Sequence, residues 1–159
     1  MTILFLVRLY KPHIGGVEEH VEGVSKNLIN RHNIKIITEK FDSTLKDFEI
    51  IDGIEVYRIN PGNKWHTWVE MFKLFNLLNS ADIIHAHDVY FWIIPYKLLH
   101  WTKKTFITFH GWEGVYPIPW KNKLQHTIAE KLSRGNICVG DYLIKWYGTK
   151  PDFVTYGAV

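Results

Sequence analysis

The 159-residue sequence holds one cysteine, two methionines and six prolines, and no apolar run long enough to cross a bilayer. A single cysteine excludes an internal disulfide and a cysteine-built metal centre. Cys138 sits within the apolar run Ile137-Cys138-Val139, where a buried thiol is expected. The apolar first seven residues lack a basic leader, so a buried parallel strand accounts for them better than a targeting segment. Excess charge is small too. A net charge of +3, without a clustered basic stripe, argues against nucleic acid as a partner. There is no Gly-x-Gly-x-x-Gly fingerprint and no Gly-Lys-Ser/Thr loop ending, and repeats and low-complexity tracts are absent.

Aromatic residues, by contrast, are plentiful: seven Trp, nine Phe and eight Tyr exceed what one interior needs. Part of them is expected on a face that meets a partner, a sugar or a membrane. Apolar runs alternate with helical periodicity along the whole chain. Strands are expected at 2–7, 34–38, 54–59, 82–87, 105–109, 136–139 and 153–156, and helices at 16–31, 65–79, 90–99, 120–133 and 141–147. Asp52-Gly53 marks a turn into the third strand, Asn60-Pro61-Gly62-Asn63 a break, and Pro95 a bend within its helix. This rhythm predicts one α/β domain, a doubly wound and mainly parallel sheet with helices on both faces. A response-regulator fold would place an acidic cluster after the first strand, and Arg8-Leu9-Tyr10 is not one.

In such a sheet, ligands bind beyond the carboxyl ends of the strands. The first loop there ends in Gly15-Gly16, which open the first helix. Two glycines let an anion approach the backbone, and free amides at a helix start favour phosphate. Arg8 and Lys11 could add charge. A plain strand-to-helix turn is the alternative. Glu18 and Glu19, in the first helical turn, are read as complementing the helix dipole.

Nine histidines are many for this length, and His87-Asp88 and His110-Gly111 end neighbouring strands at the ligand edge. A His-x-His-Asp sequence also occurs in zinc sites. Here His85 and His87 are expected to lie on different faces of their strand and not to chelate together. A sugar-facing role and simple satisfaction at strand ends remain the other readings.

The segment Pro12-His13-Ile14-Gly15-Gly16-Val17-Glu18-Glu19-His20-Val21 resembles the P-x-x-GG-x-E opening of retaining, GT-B-fold glycosyltransferases of family 4. Four further segments follow in register. Ala81–Asp88 resembles the family's pDvvh-x-H strand, Phe106–Gly111 its v-x-T-x-HG strand and turn, Ile137–Leu143 its vS-x-x-l segment, and Val154–Val159 its v-i-p-N-G-v end. Gly140 and Tyr156 depart from the family's serine and asparagine. The resemblance implies a Rossmann-like amino-terminal, acceptor-side domain over residues 1–159, with the carboxyl-terminal nucleotide-sugar domain absent. The implied chemistry is retaining transfer of a sugar from a nucleotide-sugar donor to a saccharide or lipid-linked acceptor, without metal or cofactor.

By that resemblance Gly15 and Gly16 would contact the donor diphosphate or sugar, His110 the reacting centre, and His87, Asp88, Gly111, Trp112 and Glu113 the acceptor or sugar. The chain alone would be inactive. A non-catalytic subunit or binding domain of a split glycosyltransferase is the alternative, and the ending directly after a strand fits a domain boundary either way. A cytoplasmic place, at the inner face of the membrane, is expected. Two aromatic features bear on it. On helix 65–79, Trp65, Trp68, Phe72 and Phe75, flanked by Lys64 and Lys73, are read mainly as core, with a membrane or acceptor face as the alternative. Loop 111–120 carries aromatics suited to stacking on sugar, or else packs onto the domain through Tyr116 and Trp120.

Overall fold

A computed structural model describes residues 1–111 and 116–156. Eight strands form one sheet: β1 (Thr2–Val7), β2 (Asn33–Glu39), β3 (Phe48–Ile51), β4 (Ile54–Ile59), β5 (Ile83–His87), β6 (Thr105–Phe109), β7 (Gly135–Val139) and β8 (Phe153–Thr155). Their spatial order is β3-β4-β2-β1-β5-β6-β7-β8, and every pairing is parallel except the β3–β4 hairpin. From β1 the chain first winds outward through β2 and β4, then returns to lay β5 on the other side of β1. The reversal of strand order therefore falls between β1 and β5, where an open α/β sheet forms its ligand crevice.

The helices are α1 (Gly16–Leu28), α2 (Lys64–Lys73), α3 (Phe75–Ser80), α4 (Ile94–Leu99), α5 (Trp120–Leu132) and α6 (Tyr142–Tyr147), with a 3-10 turn at Tyr90–Ile93. They cover the two faces unequally. Leu4, Leu6, Ile84 and Ile107 pack against Met71, Leu78, Tyr96, Ala129 and Leu143, contributed by α2 to α6. On the other face Ile3, Phe5, Val7, Ile36 and Val56 pack against Val17, Val21, Val24 and Leu28 of α1. Strand β1 feeds alternate side chains into both clusters, which is why it reads as an unbroken apolar run. Each such buried aliphatic side chain contributes about 1.5–3 kcal/mol.

The structure departs from the sequence expectations in three elements. Strand β3 was not expected; it pairs antiparallel with β4 through a two-residue turn in which Asp52 (φ 51°) and Gly53 (φ 81°) both adopt left-handed backbone, as a tight hairpin requires. The expected helix at 65–79 is two helices, because Leu74 (φ −95°, ψ 19°) closes α2 with a tightened turn onto Met71 and Phe72 carbonyls. Pro95 does not bend a helix but stands in the first turn of α4, where its missing N–H costs nothing. The aromatic arc on α2 is divided rather than core throughout. Trp68 donates its indole N–H to the Phe91 carbonyl (2.8 Å) and Met71 is buried, while Trp65, Val69 and Phe72 form an exposed stripe.

Candidate active site

Helix α1 begins at the crevice. Gly15 is its amino-terminal cap, in extended backbone, and no side chain caps the helix. A Cβ at Gly15 would meet the Glu18 carboxylate at 2.4 Å, so glycine there provides room for Glu18, which pairs with His13 (3.2 Å). A Cβ at Gly16 would meet nothing within 4 Å. The space next to the first helical residue is therefore open. Of the two cations expected to help, Lys11 is engaged by Glu22 (2.8 Å) and Asp52 (2.7 Å), which push its pKa up. Arg8 reaches Glu39 at 3.5 Å and is mostly exposed.

Four of the nine histidines, His20, His85, His87 and His110, form one cluster at the ends of β5 and β6. His87 Nδ1 and His110 Nε2 lie 2.8 Å apart in a hydrogen bond. His85 and His87 stack, ring centroids 4.6 Å apart and planes at 22°. The expectation of opposite faces is thus corrected: residues two apart on a strand point the same way. Both face α1, since Phe5 of the α1-side cluster packs on each, tilted against His85 and edgewise on His87. His20 of α1 closes the cluster, its ring 4.9 Å from that of His110 and 5.8 Å from that of His87. In the sequence His20 stood out only as part of the Pro12–Val21 segment; its helical spacing with Val17, Val21, Val24 and Leu28, a histidine among aliphatic residues, was the available signal.

The backbone around His110 is held from both sides. Asp88, in left-handed backbone (φ 62°), accepts the His110 N–H on Oδ1 at 2.9 Å, and its own N–H donates to Thr108 O at 3.0 Å. Tyr142 donates its hydroxyl to His110 O at 2.6 Å. His85 Nε2 shares a hydrogen bond with Thr108 Oγ1 at 2.8 Å. Thr108 is the threonine of the v-x-T-x-HG segment, though its contact was not legible there, and nothing in the sequence singled out Tyr142.

Burial dominates the electrostatics. Desolvation, with the neighbouring histidines adding to it, lowers the pKa of His85 to about 4 and of His110 to about 3, and holds His87 well below its usual value. Burial lowers His20 as well. The cluster is therefore neutral at physiological pH, able to donate and accept hydrogen bonds without carrying charge. Among the described residues, His20, His87 and His110 also set one ring nitrogen each within 4.8 Å of the others, and these three could hold a divalent ion.

Two cavities flank the His110-Gly111 turn. A groove of about 730 Å³ runs along α1 and is lined by Gly16, Glu19, His20, His110, Gly111 and Val139. A second cavity of 330 Å³ is bordered by Arg8, Asp88, Phe91, Phe109, Gly111 and His126. Of the residues expected at the site, Gly16, His110 and Gly111 share the first cavity, Asp88 and Gly111 the second, and His87 is buried against His110. Gly15 stands behind Gly16 as the cap. Trp112 and Glu113, and the last three residues of the final motif, lie outside the described residues. In the loop that follows, Ile118 is buried and Tyr116, though largely exposed, sets its ring edgewise against Trp146 of α6 (6.1 Å), while Trp120 is exposed.

The family model for Glycosyltransferase Family 4 matches residues 14–152. An uncharacterised glycosyltransferase of Methanocaldococcus jannaschii is 35% identical over 99 residues, covering 55% of this chain and 25% of that protein. Among solved structures, a glycosyltransferase from Rickettsia africae is 25% identical with a TM-score of 0.63, covering 97% of this chain and 41% of that one. Sucrose-phosphate synthase from Thermosynechococcus elongatus shares the fold (TM-score 0.69, 13% identity), covering 96% of this chain and 47% of that one. An alpha-glucosyltransferase solved in complex with UDP shares it too (TM-score 0.56, 15% identity), covering 97% and 42%. The chain thus spans between a quarter and a half of the length of these proteins.

Proposed function

Because this chain belongs to glycosyltransferase family 4, we propose that it is the amino-terminal, acceptor-side half of a retaining enzyme that transfers a sugar from a nucleotide-sugar donor to a saccharide or lipid-linked acceptor. One observation carries the reading: the open start of α1 at Gly16 and the neutral His110 border a single groove at the reversal of strand order. The solved relative that holds UDP supports a nucleoside-diphosphate-linked donor as the class.

Transfer breaks the bond between the anomeric carbon and the donor phosphate oxygen, and an acceptor hydroxyl forms the new bond on the face the old one left, its proton passing to the departing phosphate oxygen. Negative charge grows on the departing diphosphate. The Gly16 amide and the positive end of the α1 dipole oppose that charge. His110 contacts the sugar as an uncharged hydrogen-bonding group. The acceptor approaches from the second cavity, where Asp88, Gly111 and Arg8 stand at the rim, and Trp112 and Glu113, next in sequence, are assigned to its contact. Lys11 is bound in ion pairs, so cationic help for the phosphate comes from a second Rossmann domain, and this chain by itself is inactive. No metal takes part. The exposed stripe Trp65-Val69-Phe72 on α2, beside Lys64 and Lys73, fits a peripheral contact with the inner, cytoplasmic face of a membrane.

The decisive variant is Gly16→Ala in the complete enzyme. Its Cβ meets no atom of this chain, and alanine favours a helix by up to about 1 kcal/mol over glycine. Thermal stability should hold or rise while kcat/KM for the donor falls at least about tenfold. Unchanged donor kinetics would remove Gly16 from the donor site. His110→Ala should lower kcat by about 10²-fold, the usual loss for one transition-state hydrogen bond, and unchanged turnover would remove His110 from the reaction.

A further inference from the structure

The hydrogen bond between His87 Nδ1 and His110 Nε2 can be made in two ways, and they differ at the far nitrogen of each ring. If His110 donates, His87 must carry its proton on Nε2. That atom is buried and has no partner among the described residues, so an N–H would be stranded there. If His87 donates from Nδ1, its Nε2 is an unused lone pair. A stranded donor is the rarer and costlier defect. Ring rotation offers no escape, because His87 is clamped by the stacked ring of His85 and the edge of Phe5.

We propose that His87 is a positioning residue: it donates Nδ1–H to His110 Nε2 and so fixes His110 as its Nδ1–H tautomer, a neutral donor turned to the groove. This rests on the sugar-facing reading of His110 and narrows it. With Nε2 occupied and Nδ1 protonated, His110 has no free lone pair and cannot act as a general base. The ligand atom opposite it must be an oxygen acceptor, such as a sugar hydroxyl or a phosphate oxygen. His20, set edgewise against His110, walls the ring on the α1 side.

Two-bond ¹H–¹⁵N correlation spectra of the imidazoles of this chain test the assignment, with the His110→Ala spectrum identifying the His110 signals. The wild-type chain should show His110 protonated at Nδ1, the minor tautomer of a free imidazole. In His87→Ala the population should move to Nε2–H. In His87→Asn, whose side-chain amide reaches the position of Nδ1, it should return. A wild-type His110 protonated at Nε2 overturns the proposal even if neither variant folds. So does an unchanged His110 tautomer in a folded His87→Ala, or stoichiometric zinc binding that shifts the nitrogens of His20, His87 and His110 together. Full turnover of His110→Ala in the complete enzyme would sink the sugar-facing reading alone and leave the tautomer result standing.

Discussion

His126 lies flat between Phe109 and Tyr147, 4.1 Å from each ring and within 15° of parallel to both. Burial there lowers its pKa to about 4 from an unfolded value near 6.5. The fold therefore holds the neutral form, while the unfolded chain takes up a proton first. The stacking contribution is complete above pH 6.5, declines as the pH falls from 6.5 towards 4, and levels off below that. His85, with the same depression, acts in the same window. Each such histidine costs the fold about 1.4 kcal/mol per pH unit within the window. His126→Phe keeps the three-ring stack and removes the proton site. Urea denaturation between pH 6.5 and 4 should show a visibly shallower loss of stability in this variant, and a slope equal to the wild type's would count against the burial argument. Arg58 makes a second prediction of this kind. Its side chain is fully buried, pairs with Glu49 and donates to the carbonyls of Lys46 (3.1 Å) and Lys11 (2.7 Å). Arg58→Ala leaves those acceptors stranded and should lower unfolding free energy by about 3 kcal/mol, read from denaturant midpoints.

Elements differ in how far their sequences declare them. Strands β1, β4 and β6 are each dense in β-branched and aromatic residues, and their limits match the periodicity residue for residue. Strand β3 was hidden because Phe48-Glu49-Ile50-Ile51 follows a charged stretch and gains its identity only by pairing with β4. The division of α2 from α3 had no glycine or proline to announce it. At the site, both glycines and the two strand-end histidines were legible as local motifs. What was not legible was contact across elements: His20 reaches His110 only once α1 has docked, and Tyr142 reaches its carbonyl only once α6 has. Two element-level outcomes follow. Gly53→Ala puts a side chain at φ 81° in the hairpin turn and should cost about 1–2 kcal/mol without altering the active-site tautomers. Trp65→Ser, on the exposed stripe of α2, should change stability by less than about 0.5 kcal/mol. The same variant should lower co-sedimentation with anionic vesicles, and undiminished pelleting would take the membrane role away from α2.

At the scale of the whole molecule, β1 is made well before one of its two neighbours and is deeply enclosed in the finished sheet. Strand β1 pairs with β2 through Ile3↔Ile34 and Leu4↔Lys35, but its other edge waits for β5, through Ile3↔Ile83 and Leu4↔Ile84. A ribosome adding roughly 5–20 residues per second needs on the order of ten seconds to span that interval. For that time the emerging chain presents Ile3, Leu4, Phe5, Leu6 and Val7 on an unpaired edge, a segment well suited to capture by a chaperone or by a neighbouring nascent chain. The arrangement that sets the crevice at the middle of the finished sheet thus gives its synthesis a vulnerable interval, which opens with the first strand and closes when β5 arrives.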